Sequence, residues 1–178
     1  MTIAEINLLE PQQFLDYFAG VFEHSPHYAT RAALQRPFAN SADLLLAFKK
    51  VILEDCQTSQ LELIGAHPDL AGKAAMAGEL TTESASEQKG VGLDRLSPEE
   101  FADFTSVNLA YRAKFAMPYI VCVREHSKES ILAGAAQRLE HDLETEIQIA
   151  LEEIIKIAHY RIKDLLSTSN LIYTVLLV

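Results

Sequence analysis

Cysteine is scarce in this 178-residue chain, clustered basic residues are missing, and no apolar stretch is long. The two cysteines, Cys56 and Cys122, lie far apart with no CxxC spacing. That excludes a disulfide framework and suits a reducing compartment. Lys and Arg number 15 against 25 Asp and Glu, a formal charge of -10. Nucleic-acid binding rests on clustered cations that neutralise phosphates, so nucleic acid is not an expected partner. No segment approaches the roughly 18 to 20 apolar residues of a membrane span. The apolar tail LIYTVLLV is too short for one and is expected to pack or fray. The start, MTIAEINLLEPQQF, has neither the basic region nor the apolar run of a secretory signal. A cytoplasmic protein without a membrane is therefore expected.

A phosphate loop is also missing, although GAHPDLAGK at 65–73 suggests one. Such a loop needs four residues between its glycines and a Ser or Thr after the lysine. Here six residues separate Gly65 from Gly72, and Ala74 follows Lys73. Metal-ligand clusters are wanting as well. His24 and His27 flank Ser25-Pro26, with no Cys or His group nearby to complete a site, so no metal is expected. His126, His141 and His159 read as solvated surface positions.

What is present is helical periodicity. The chain is 49% hydrophobic, long enough for one substantial core, and shows no repeat and no linker, so a single domain over 1–178 is expected. Behind Ser41 as a cap, Leu44, Phe48, Val51 and Ile52 fall at helical spacing. At 97, SPEE supplies an N-cap serine, a proline at the first position and a glutamate at the third, and Phe101, Phe104, Asn108, Tyr111 and Phe115 then share one face. That helix must end before Pro118. MPYIVCVR is β-branched and apolar without helical spacing, so a short extended segment is expected near 118–123. From Ser127 to Leu166 helical spacing returns, with a break predicted near Glu140 to Asp142. The fold class is all-α, a helical bundle.

Three residues stand out chemically. Ile147, Ala150, Leu151, Ile154, Ile157, Ala158, Ile162 and Leu165 form one apolar stripe, and Arg161 lies inside it. An inward guanidinium is either one half of a buried ion pair or an anion-binding fork in a cleft, and few acidic residues face it on the apolar stripes. Ser84-Ala85-Ser86-Glu87 has the pattern of a capping box, the local preference for Glu87; the other reading has Glu87 holding or protonating a ligand at a helix start. His67 precedes Pro68, so the helix through Leu61, Leu63 and Ile64 must stop there, leaving the imidazole facing outward at a helix end. Asn108, polar on an aromatic stripe, reads as a satisfied core amide.

The segments EHSPHYATRAALQRPF, GAHPDLAGKAA, LTTESASEQKGVGLD, NLAYRAKFAMPYIVCVR and IAHYRIKDLL occur in this order and spacing. Together they resemble the OHCU decarboxylases, which convert 2-oxo-4-hydroxy-4-carboxy-5-ureidoimidazoline to (S)-allantoin in urate degradation, from about Asn7 to about Leu166. The resemblance implies an all-helical fold, no cofactor and commonly a homodimer. It places His67, Glu87 and Arg161 on the catalytic positions. Pro68, Ser84, Ala85, Ser86, Glu87, Gln88, Tyr119, Ile120, Val121, Cys122 and Val123 fall on substrate-contacting ones. Lys73 is then plain helix surface. Two departures, Phe115-Ala116-Met117 before Pro118 and His27 in place of a common large aromatic, bear on the apolar wall. The chain ends Leu-Leu-Val, without the peroxisomal tripeptide of some relatives, in keeping with the cytoplasmic expectation. The competing classes are a non-catalytic helical interaction module of the same fold and a metal-dependent ureide hydrolase.

Overall fold

The computed structural model describes residues 1–175, with side-chain surroundings through 167. The expectation for the tail LIYTVLLV concerns side chains outside that range. Among the described residues the regular structure is all helical, as the periodicity predicts, and no helix is long and apolar enough to cross a membrane. The chain divides into two compact units, residues 1–56 with 155–178, and residues 57–154.

In the first unit, α1 (Ile3–Asn7), α2 (Pro11–Phe18), α3 (His27–Ala33) and α4 (Ser41–Leu53) precede the unit boundary. A 3-10 turn, Ala19–Val21, follows α2. The core is aromatic. The ring centres of Phe14 and Phe18 lie 4.6 Å apart, those of Phe18 and Phe48 5.3 Å, and those of Phe22 and Tyr28 5.4 Å. Rings in these tilted and edge-on arrangements contribute about 0.5–1.5 kcal/mol per pair beyond area burial. Asn7 braces this core by exchanging two hydrogen bonds with the backbone of Phe38, both 2.8 Å. The cap of α4 is Asn40, not Ser41: its side chain accepts from the N–H groups of Ala42 and Asp43, so the helix begins at the serine. Leu44, Phe48, Val51 and Ile52 are buried on one face as the spacing requires.

In the second unit, α5 (Gln57–Ala66), α6 (Lys73–Ala77), α7 (Thr82–Gly90), α8 (Pro98–Phe115) and α9 (Lys128–Arg138) follow in order. SPEE behaves as read, with Ser97 accepting from the Glu100 amide and Glu100 from the Ser97 amide. The stripe of α8 is buried at Phe104, Asn108, Tyr111 and Phe115, whereas Phe101 is partly exposed. The helix stops at Phe115, and Ala116 takes a left-handed φ of 56°. No strand forms at 118–123. Met117 to Val123 run as irregular buried chain into a 3-10 turn, Val123–Glu125, because among the described residues no second strand offers a ladder. The last helix, α10, spans Leu143–Val175, so the break falls at residues 139–142 as predicted. Its residues through Ile154 belong to the second unit and those from Ile155 to the first.

Candidate active site

His67 follows α5 directly, where Pro68 denies the helix another turn. It does not face outward. The ring is buried, 6% exposed, and its Nδ1 lies 2.9 Å from the Leu63 carbonyl one turn back. The carbonyls of a helix's last turn lack helical partners, and the imidazole supplies an N–H to one of them. That contact fixes the tautomer with hydrogen on Nδ1, which leaves Nε2 as the basic nitrogen.

The chain after His67 is held from two sides. Gln88 Oε1 accepts from the Ala71 amide at 2.9 Å, and Asn108 Nδ2 donates to the Leu70 carbonyl at 2.8 Å. Ala71 carries a positive φ of 49°, a conformation that the Gln88 contact helps to keep. Asn108 is therefore not the satisfied core amide expected, since its Oδ1 is buried without a hydrogen-bond partner. Lys73 is exposed on the surface of α6, as read.

The capping box proposed at Ser84 to Glu87 does not form. Thr81 is the N-cap of α7 and its hydroxyl accepts from the Ser84 amide, so the helix starts one turn earlier and Ser84 and Glu87 lie within it. The earlier start puts Ser84, Glu87 and Gln88 on one buried face, while Ala85 and Ser86 stay exposed. Glu87 is consequently not at a helix start. It sits 3.6 Å from Arg124 Nη2, an ion pair that joins α7 to the Val123–Glu125 turn.

That turn ends the buried segment containing Tyr119 to Val123. Glu153 of α10 accepts from the Cys122 amide at 2.7 Å, and the Tyr119 hydroxyl donates to the Ile131 carbonyl at 3.1 Å. Burial pushes the Cys122 thiol up to about 12, with the carboxylates of Glu125 and Glu153 adding to it. Burial likewise pushes the Tyr119 phenol up to about 12. Both are neutral at neutral pH. Within the second unit, Gln88 thus links α7 to the loop after His67, and Glu87 links α7 to the turn that follows 119–123.

Arg161 belongs to the first unit. It is 4% exposed, and its Nη2 lies 3.3 Å from Glu23 Oε1 while Nη1 donates to the Gly20 carbonyl at 3.1 Å. Of the apolar stripe around it, Ala158 and Ile162 are buried, Ile157 and Leu165 are half-buried, and Lys163 is exposed. The expected shortage of facing acids does not hold, because Glu23, itself 1% exposed, faces the guanidinium. Sequence reading missed Glu23. It lies in an irregular turn, outside any periodic stripe, next to His24 with its positive φ of 46°. His27, one of the departures from the family pattern, is exposed. His141 is not a plain surface position, for its Nδ1 lies 3.1 Å from Glu146 Oε2. Among the described residues no three His, Cys, Asp or Glu side chains gather as a metal site.

Comparison with known proteins agrees with this architecture. The chain is 33% identical over 168 residues to the 2-oxo-4-hydroxy-4-carboxy-5-ureidoimidazoline decarboxylase of Haloferax volcanii, covering 94% of this chain and 98% of that protein. It is 34% identical over 171 residues to the protein of the same name from Xenopus laevis, covering 96% and 98%. Its fold is similar to the crystal structure of (S)-allantoin synthase, with a TM-score of 0.74 and 25% identity over 93% of this chain and 53% of that one. The family model for OHCU decarboxylase matches residues 7–163, and the chain belongs to the OHCU decarboxylase family.

Proposed function

We propose that this protein is a carboxy-lyase of urate degradation that decarboxylates OHCU to (S)-allantoin and carbon dioxide. The observation that carries the reading is the burial of His67, at the end of α5, and of Ser84, Glu87 and Gln88, on one face of α7, in a chain of this family. A core gains nothing from such groups, since burying polar atoms costs free energy that apolar packing does not.

The substrate needs no added electron sink. Its carboxylate stands on the ring carbon next to a C=N, so when the C–CO2 bond breaks its electron pair forms the ring C=C and the C=N pair moves to nitrogen, which takes a proton. The resulting enol then loses its hydroxyl proton and gains one at the ureido-bearing carbon, giving allantoin. What remains for protein groups is charge stabilisation and proton handling.

The roles follow the chemistry of each side chain. His67, with its Nδ1 engaged by Leu63, offers Nε2 to the substrate hydroxyl or to the new C–H. Glu87 accepts from the ureido N–H groups. Arg161 supplies the cation for the substrate's anionic group. Pro68, the α7 residues Ser84 to Gln88 and the segment Tyr119 to Val123 form the contact surface, and the apolar part of that segment favours neutral carbon dioxide over carboxylate. A homodimer in the cytoplasm completes the proposal, and neither feature is needed for the chemistry.

His67→Asn tests the assignment, measured at a temperature where thermal melts show the variant folded. The expected result is loss of about two orders of magnitude or more in kcat. Turnover within about threefold of the parent protein would remove His67 from the chemistry.

A further inference from the structure

Arg138 ends α9 and Glu146 lies in the first turn of α10, and the four-residue connection of residues 139–142 brings the two side chains together. Glu146 is wholly buried, and Arg138 nearly so. Arg138 donates from Nε to Glu146 Oε1 at 2.8 Å and from Nη2 to the same oxygen. Tyr111 donates to that oxygen at 3.1 Å, and His141 Nδ1 engages the other. Two arms of the fork are thereby spent on a carboxylate that is itself fixed by three elements. The third arm, Nη1, donates to the Ile120 carbonyl at 2.6 Å, and the guanidinium lies over the Tyr119 ring at 4.8 Å.

A structural pair alone would not need this third contact. Ile120 lies in irregular chain, where no ladder or helix satisfies its carbonyl, and a buried unpaired carbonyl would cost the stretch its shape. We propose that Arg138, oriented by Glu146, is a positioning residue that sets the backbone of Tyr119 to Val123 for substrate. The inference rests on the reading above, in which this segment contacts OHCU. Glu153 holds the same segment by its next N–H but one, at Cys122, so the strip is pinned by a cation on a carbonyl and a carboxylate on an amide. A fork is required because one cation must reach Glu146 and Ile120 at once, which a lysine ammonium on its single stem does less well.

The test uses full-length Arg138→Lys and the double variant Arg138→Met/Glu146→Gln, which removes both charges and so avoids a stranded carboxylate. Two measurements are made well below each variant's melting temperature. Hydrogen exchange of the amides at 120–123 should rise by about tenfold or more in both variants while exchange in α4 stays unchanged. Steady-state rates on OHCU should show KM raised by about tenfold with kcat within about threefold, the pattern of lost binding geometry. Unchanged exchange at 120–123, or a fall in kcat at unchanged KM as from a reduced folded fraction, would overturn the proposal. Failure of the unmodified protein to consume OHCU would overturn the parent reading, and with it the substrate-positioning role, whereas the exchange result bears on the clamp alone.

Discussion

Arg161 Nη2 and Glu23 Oε1 lie 3.3 Å apart, an ion pair in which both side chains are more than nine-tenths buried. The arginine is therefore held by the fold itself, one amino group on Glu23 and the other on the Gly20 carbonyl. Removing one partner of a buried pair leaves the other charge without its compensation. Glu23→Ala should lower unfolding free energy by about 3–5 kcal/mol, read from urea denaturation. Arg161→Lys should lose kcat/KM by about one to three orders of magnitude, since the charge stays and the fork does not. It should also lower the melting temperature, because Glu23 loses its planar partner.

The loop after His67 depends on a missing side chain. A Cβ on Gly72 would lie 2.8 Å from Asp69 Cβ and 3.2 Å from the Asp69 carbonyl oxygen, neither of which can swing away. Gly72→Ala should cost about 1–3 kcal/mol by overpacking and lower turnover with it. A variant with the parent's melting temperature and rate would show that the loop tolerates the shift.

Asp55 links acid stability to the first unit. Burial raises its carboxyl, but the Arg31 guanidinium, the Cys56 amide and the Tyr28 hydroxyl outweigh that and hold it below 3.8. A depressed folded-state value adds stability above the unfolded value, which disappears as pH falls through the folded one. Asp55→Asn should thus cost about 1–2 kcal/mol at neutral pH, and the difference from the parent should shrink below about pH 4. Denaturation midpoints between pH 3 and 7 check this, and a difference that does not change with pH would contradict it.

Cys122 and Cys56 should react differently. The thiolate is the nucleophile, and Cys122 is buried with its thiol pushed up to about 12, whereas Cys56 is exposed. Iodoacetamide at neutral pH should label Cys56 and leave Cys122 untouched until the protein is unfolded, as read by peptide mass. Rapid labelling of Cys122 in the folded state would mean that the segment opens readily.

The helices were the legible part of the sequence because their signals are local. SPEE and the stripe of α10 depend only on neighbours within a turn or two, and the gap at 139–142 is a loss of the same period. The α7 cap was not legible, since Thr81 and Ser84 are both good caps three residues apart. Which one wins depends on the face that is buried afterwards, and here the earlier start buries Glu87. The partner of Arg161 lies 138 residues away in a turn, so no window contains both. Similarly, the HP pair locates the end of α5, yet nothing local says that the imidazole folds back onto Leu63.

The central claim is that the protein releases carbon dioxide from OHCU and protonates the resulting enol on one face. Freshly generated OHCU, mixed with the protein and followed by circular dichroism, tests this directly, because protonation of a planar carbon in free solution gives both hands equally. The account predicts a growing signal of a single allantoin enantiomer at a rate proportional to protein, lost in His67→Asn. Racemic allantoin at the uncatalysed rate would contradict it.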